Sequence, residues 1–131
     1  MRAYYIQAYS MAKYVVAAVK DLFFLSKIQA TANAMSLYVR FVSNQEELKS
    51  SLNHARPHVV IFDLELEGSD PVDMIRQIKG KKELKDITTV GFAPHVKREL
   101  RKKAGIAGCD VVLPRSDFSR SLPEILSGRF N

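Results

Sequence analysis

The sequence predicts an α/β fold in which strands and helices alternate around a buried parallel sheet. Three observations predict it. Five short apolar runs recur along the 131 residues, each followed by a helix-forming segment. The middle run, Val59 to Phe62, is β-branched or aromatic throughout, which marks a strand covered on both faces. Asp63 follows at once, so a carboxylate stands at the C-terminal end of that strand, where open parallel sheets gather their ligands.

Taken in order, residues 1–13 read as an N-terminal extension. It is aromatic (Tyr4, Tyr5, Tyr9) but without a period, and is expected to be disordered or non-native, or else an added element that packs on a partner. Residues 14–131 form the domain. Tyr14 to Val19 is the first strand. Phe23 to Ala34 is a helix, with Phe24, Ile28 and Ala32 at i, i+4 spacing. Leu37 to Val42 is the second strand. Ser43 or Asn44 caps a second helix that stops near Ala55, ahead of Pro57, and Ser43 with Glu46 fits a capping box. After the central strand, Gly68-Ser69-Asp70 turns the chain and Pro71 opens a third helix that Gly80 ends. Ile87 to Phe92 is strand four, Val96 to Ala104 helix four, Cys109 to Leu113 strand five. Ser116 or Asp117 caps a fifth helix over Phe118 to Leu126. Right-handed crossovers leave few topologies for this pattern. The sequence predicts a flavodoxin-like three-layer α/β/α sandwich with a five-stranded parallel sheet of order 2-1-3-4-5, which brings Asp21 and Asp63 to one edge.

Composition sets the function class. The chain is 47% apolar and 26% charged, with no repeat or low-complexity tract, as in an ordinary globular domain. A lone cysteine, Cys109, excludes an internal disulfide and a cysteine-built zinc site, and points to a reducing compartment. The stretch from Tyr14 to Val19 is too short to span a bilayer, and no signal-peptide layout precedes it, so a cytoplasmic protein without membrane partners is expected. The net charge is +6, and between Arg76 and Lys103 ten Lys/Arg face three acids, Glu83, Asp86 and Glu99. The bland reading is a solvated face; the sharper one is contact with an acidic protein or a nucleic acid. Nucleic acid is disfavoured, since no aromatic residues interleave with the helix-four cations. His54, His58 and Cys109 lack metal-ligand spacing, and His95 has no matched acid or nucleophile.

From Tyr14 onward the sequence resembles a response-regulator receiver domain. The stretch Asp63-Leu-Glu-Leu-Glu-Gly-Ser-Asp-Pro71 is similar to the family's D-x-x-L-P-G-x-D-G loop, with Glu67 and Pro71 replacing the usual proline and glycine. The approach Ala55-Arg56-Pro57-His58 and the final run Cys109 to Arg115 add to the likeness. The resemblance implies that Asp63 occupies the phosphoacceptor position. It also implies magnesium ligands at an acidic pair after strand one, at the acceptor, and at a backbone carbonyl two residues beyond; here these fall on Lys20-Asp21, Asp63 and Glu65. One member of the pair is therefore a cation. The family's hydroxyl at the end of strand four falls on Ala93, and its phosphoryl-binding lysine falls on Arg115. Lys20 is expected to pair with Asp63 and lower its pKa, in place of the metal.

These departures predict a receiver-like signalling module with a degenerate pocket (Asp63, Lys20, Asp21, Ala93, Arg115) and no enzymatic activity. No cofactor is expected; Mg2+ would bind at Asp21, Asp63 and the Glu65 carbonyl only if the pocket functions. The module is expected to act on a signalling protein, an effector or a histidine kinase, through helix four, strand five and helix five. Lys97, Arg101, Lys102, Arg115 and Phe118 are the contact candidates, and homodimerisation is left open. The alternatives are a phosphorylatable single-domain response regulator and a flavodoxin-like small-ligand-binding domain. The latter is disfavoured because no glycine-rich loop follows strand one.

Overall fold

A computed structural model describes residues 14–129. The extension expected over residues 1–13 lies outside the described residues. Five parallel strands form one sheet: β1 (Tyr14–Ala18), β2 (Tyr38–Val42), β3 (Val59–Asp63), β4 (Thr88–Ala93) and β5 (Val111–Pro114), in the order β2-β1-β3-β4-β5. The predicted strand order is therefore the observed one. The helices are α1 (Leu22–Ala34), α2 (Gln45–His54), α3 (Pro71–Gly80), α4 (Arg98–Ile106), α5 (Arg115–Arg120) and α6 (Leu122–Ser127).

Alternation along the central strands builds the layers. Tyr14, Val16, Ala18, Val60 and Phe62 point to one face and pack with Leu48 of α2, Met74, Ile75 and Ile78 of α3, and Ala104 of α4. Val15, Ala17, Val59 and Ile61 point to the other, against Phe24 and Ile28 of α1 and Phe118, Leu122 and Ile125 of α5 and α6. Both faces of β1 and β3 are thus covered, and every residue of these two strands is buried. Such strands must read as unbroken apolar runs, which is the signal that located them.

Local chemistry moves some boundaries. The predicted Ser43–Glu46 capping box is not the one formed at α2: Asn44 is the cap, its Oδ1 accepting the Glu47 N–H at 2.9 Å, and Glu47 Oε1 accepts the N–H of Ser43, the residue before the cap, at 2.7 Å. Helix four begins at Arg98 rather than Val96, after the turn that Pro94 opens. The fifth predicted helix is two short ones. Pro123 has no N–H and its ring crowds the carbonyl four residues back, so the helix is interrupted at Ser121. Pro71 occupies the first turn of α3 as expected, with Asp70 Oδ1 accepting the Asp73 N–H at 3.1 Å. Just before it, Gly68 has φ +75°, a left-handed turn that lets the loop after β3 reach that cap.

Candidate functional site

The strand order reverses between β1 and β3, so their C-terminal ends lie side by side, with Ala18 paired to Phe62. The loops that leave these ends, with the β5–α5 junction, enclose a cleft of about 550 Å³ lined by Lys20, Asp21, Asp63, Glu65, Glu67 and Arg115. The structure thus brings the predicted pocket residues of three distant segments together. Ala93, the last residue of β4, does not line this cleft: it is fully buried in the core, paired in strand register with Pro114.

Asp63 ends β3 and is 5% exposed. Its Oδ1 accepts the Glu65 N–H at 2.9 Å, and its carbonyl accepts the Leu66 N–H. Burial pushes the Asp63 carboxyl above its ordinary value. The Glu65 N–H and the Arg115 guanidinium oppose this, and the neighbouring Glu65 and Asp21 charges add to it. The expected Lys20–Asp63 pair is therefore corrected on two counts. No ion pair joins them; Lys20 Nζ is exposed and donates to the Glu67 carbonyl at 3.4 Å. The carboxyl is raised rather than lowered, because an exposed ammonium keeps its water and does not offset the desolvation of a buried acid.

Asp21 caps α1, with Oδ1 accepting the Phe23 and Phe24 N–H groups at 2.9 and 3.2 Å. Arg115, the first residue of α5, lies with its guanidinium carbon 5.5 Å from the Phe24 ring centroid. Its Nη2 donates to Glu65 Oε1 at 3.3 Å, while its buried Nε has no hydrogen-bond partner. The other Glu65 oxygen, Oε2, is 3.7 Å from Lys97 Nζ at the start of α4. The side chain of Glu65 thus bridges two cations from two different elements, a role that sequence reasoning missed. The sequence points only to its carbonyl, because a lone acid on a loop gives no local signal of its partners.

The predicted contact residues divide. Lys97 and Lys102 are exposed, and Arg115 is partly so. Arg101 is half-buried and donates from Nη1 to the carbonyls of Pro94 and His95, both at 2.8 Å, so it braces the loop before α4. Phe118 corrects the expectation outright. It is fully buried and stacks on Phe92 with centroids 4.1 Å apart, so it belongs to the core and not to a contact face. The signal was available in the sequence, since Phe118, Leu122 and Ile125 follow the i, i+4, i+7 pattern of a buried face.

Of the remaining singled-out residues, His54 and His95 are exposed. His58 is structural: its Nε2 is 2.8 Å from the Leu126 carbonyl and its Nδ1 is 2.9 Å from that of Tyr14, tying the start of β1 to the end of α6. Cys109 is buried, and burial raises its thiol to about 11. Among the described residues no group of three His, Cys, Asp or Glu is arranged to hold a metal ion.

No protein-family model matches the chain, and no curated protein matches it in sequence. Solved structures match it in fold. The chemotaxis response regulator CheY4 of Vibrio cholerae superposes with a TM-score of 0.77 at 13% identity, over 92% of this chain and 100% of that one. The receiver domain of NtrX from Brucella abortus gives 0.75 at 16% identity, over 89% and 97%. The receiver domain of the sensor histidine kinase PA1611 from Pseudomonas aeruginosa, which has magnesium coordinated in its active-site cleft, gives 0.72 at 14% identity, over 88% and 98%. With the strand order and the site at its switch point, these matches show that the chain has the CheY-like fold of response-regulator receiver domains.

Proposed function

We propose that the chain is a receiver-like signalling module that works by protein–protein contact through α4, β5 and α5, with a degenerate phosphoacceptor pocket and no catalytic turnover of its own. The observation that carries this reading is the charge arrangement around Asp63. The positive charge there comes from the protein itself: Arg115 acts on Asp63 and, with Lys97, holds the Glu65 carboxylate, while Lys20 stands at the mouth. In the PA1611 receiver a magnesium ion occupies the corresponding cleft. In this chain Asp21, Asp63 and the Glu65 carbonyl are the oxygens that would hold one. They fit it poorly: Asp21 Oδ1 already accepts two helix N–H groups, and a lysine stands beside it where a second carboxylate would be. The buried Ala93 methyl offers no hydroxyl to a phosphoryl oxygen.

Among the described residues no helix is long and apolar enough to cross a membrane, and we assign the module to the cytoplasm, with an effector or a histidine kinase as its partner. The test is incubation of the chain with Mg2+ and acetyl phosphate, read by intact-mass spectrometry. No phosphoryl adduct is expected. A stoichiometric adduct that disappears in Asp63→Asn overturns the degenerate reading and establishes a phosphorylatable single-domain response regulator.

A further inference from the structure

Helices α2 and α3 cover the same face of the sheet and leave a groove of about 130 Å³ between them. Its floor is apolar: Leu48 of α2 is 1% exposed, and Met74 and Ile78 of α3 are 2% and 3% exposed. Half-buried Leu52 and Leu84 extend the apolar lining, and no Asp or Glu contributes to it. The polar groups around the groove are of two kinds. Gln45 Nε2 donates to Gln77 Oε1 at 2.9 Å, and Gln77 Nε2 donates to Asp73 Oδ2 at 2.7 Å, so a hydrogen-bonded strap joins the two helices. Lys49 stands one turn beyond Gln45 along α2, and Lys81 directly follows the last residue of α3. Both lysines are exposed, and neither has an ion pair among the described residues, whereas Lys97 and Arg115 at the cleft already hold Glu65.

Size and charge together select an occupant. A stable protein interface buries roughly 1,200 Å² or more, far beyond what so small a groove offers, so the occupant is a small molecule. A cavity of roughly 150 Å³ lined by aliphatic side chains takes one benzene, so this groove holds about five or six carbons. Leu, Ile and Met offer no polar atom to the buried part of the ligand, and the unbranched Met74 side chain adapts to a flexible chain. The two ammonium groups at the rim favour a carboxylate at the exposed end and disfavour an amine. We propose that the α2–α3 groove binds a free medium-chain fatty acid, its aliphatic chain against Leu48, Met74 and Ile78 and its carboxylate at Lys49 and Lys81. Each buried methylene tightens binding by up to about fourfold until the groove is full.

The groove shares no residue with the Asp63 cleft, so its test is independent of the phosphodonor experiment. The probe is sodium hexanoate, titrated into the full isotope-labelled chain and followed by amide shift changes. Saturable shifts are expected in α2, in α3 and at Leu84, with a dissociation constant of about a millimolar. Across butanoate, hexanoate and octanoate the affinity is expected to rise by about two- to fourfold per methylene, and to level off by decanoate, once the groove is full. Hexylamine and hexanol test the charge; each is expected to bind about threefold or more weaker than hexanoate. The double variant Lys49→Gln/Lys81→Gln, shown to be folded by circular dichroism, is expected to lose affinity for hexanoate by a similar factor and to bind hexanol as the wild type does. Absence of saturable shifts, shifts that map to the Asp63 cleft or to α4, affinity indifferent to chain length or still rising at decanoate, an amine or alcohol that binds as tightly as the acid, or an unaffected lysine variant each overturns the proposal.

Discussion

Replacing Asp110 tests the electrostatic node at the end of the sheet opposite the cleft. Lys79 Nζ donates three hydrogen bonds, to the carbonyls of Lys85 (2.9 Å) and Ile87 (2.8 Å) and to Asp110 Oδ2 (2.6 Å). The same Asp110 oxygen accepts the backbone N–H and the hydroxyl of fully buried Thr89, at 2.8 and 3.1 Å. One carboxylate thereby joins α3, β4 and the entry to β5. It also aligns the β4–β5 pairing that runs from Val90–Val111 to Ala93–Pro114, next to Arg115. Asp110→Ala leaves a buried Thr89 N–H without a partner, about 1–3 kcal/mol, and removes a charge-assisted bond from an ammonium whose side chain is only 16% exposed. Asp110 itself is 42% exposed, which screens the ionic part, so the expected total is about 2–4 kcal/mol. Lys79→Met is milder, about 1–2 kcal/mol, because Asp110 keeps its water and both Thr89 bonds. Urea unfolding of the three proteins measures this order. Burial raises the Asp110 carboxyl, but the bonds from Lys79 and Thr89 outweigh it and hold the group below its ordinary value. A depressed folded pKa stabilises above the unfolded value and loses that effect as pH falls through the folded one. The gap between wild type and Asp110→Ala should therefore narrow at pH values below about 4, losing its ionic part while the neutral carboxyl still accepts the Thr89 N–H. A loss under about 1 kcal/mol at neutral pH, or a loss no larger than that of Lys79→Met, refutes the reasoning.

Two further outcomes follow from burial. Asp63 has the opposite linkage: its raised folded pKa means that the ionised carboxylate opposes folding, an effect absent below the unfolded pKa and growing as pH rises through the folded one. Asp63→Asn keeps the acceptor for the Glu65 N–H and should be more stable than wild type at neutral pH, with the difference fading in acid; chemical denaturation that shows it less stable at neutral pH contradicts this. Cys109, raised to about 11 and 9% exposed, should resist maleimide in the native chain and react once urea unfolds it, so rapid labelling without denaturant contradicts its placement.

Much of the architecture was legible because it is written locally. The unbroken apolar runs of β1 and β3, the i, i+4 stripe of α1 and Pro71 at the head of α3 each need only a few neighbouring residues to be recognised. Alternation of strand and helix, combined with right-handed crossovers, then implied the strand order and put Asp63 at the switch point. The cap that Asp21 supplies to α1 is equally local, since its partners are two and three residues away.

What the pocket does with its charges was decided by the tertiary structure. The sequence shows that Lys20, Asp21, Asp63, Glu65 and Arg115 exist, and the topology brings them to one cleft. Which cation meets which acid depends on contacts between groups 47 and 50 residues apart: Lys20 turns to the Glu67 carbonyl, and Arg115 reaches Glu65. Phe118 and Asp110 were likewise settled by neighbours from other elements, Phe92 in one case and Lys79 with Thr89 in the other. The physical reason is common to all of them. Backbone periodicity dictates which side of a strand or helix a residue occupies, whereas the balance between desolvation and pairing depends on groups that only the packed sheet brings within a few ångströms.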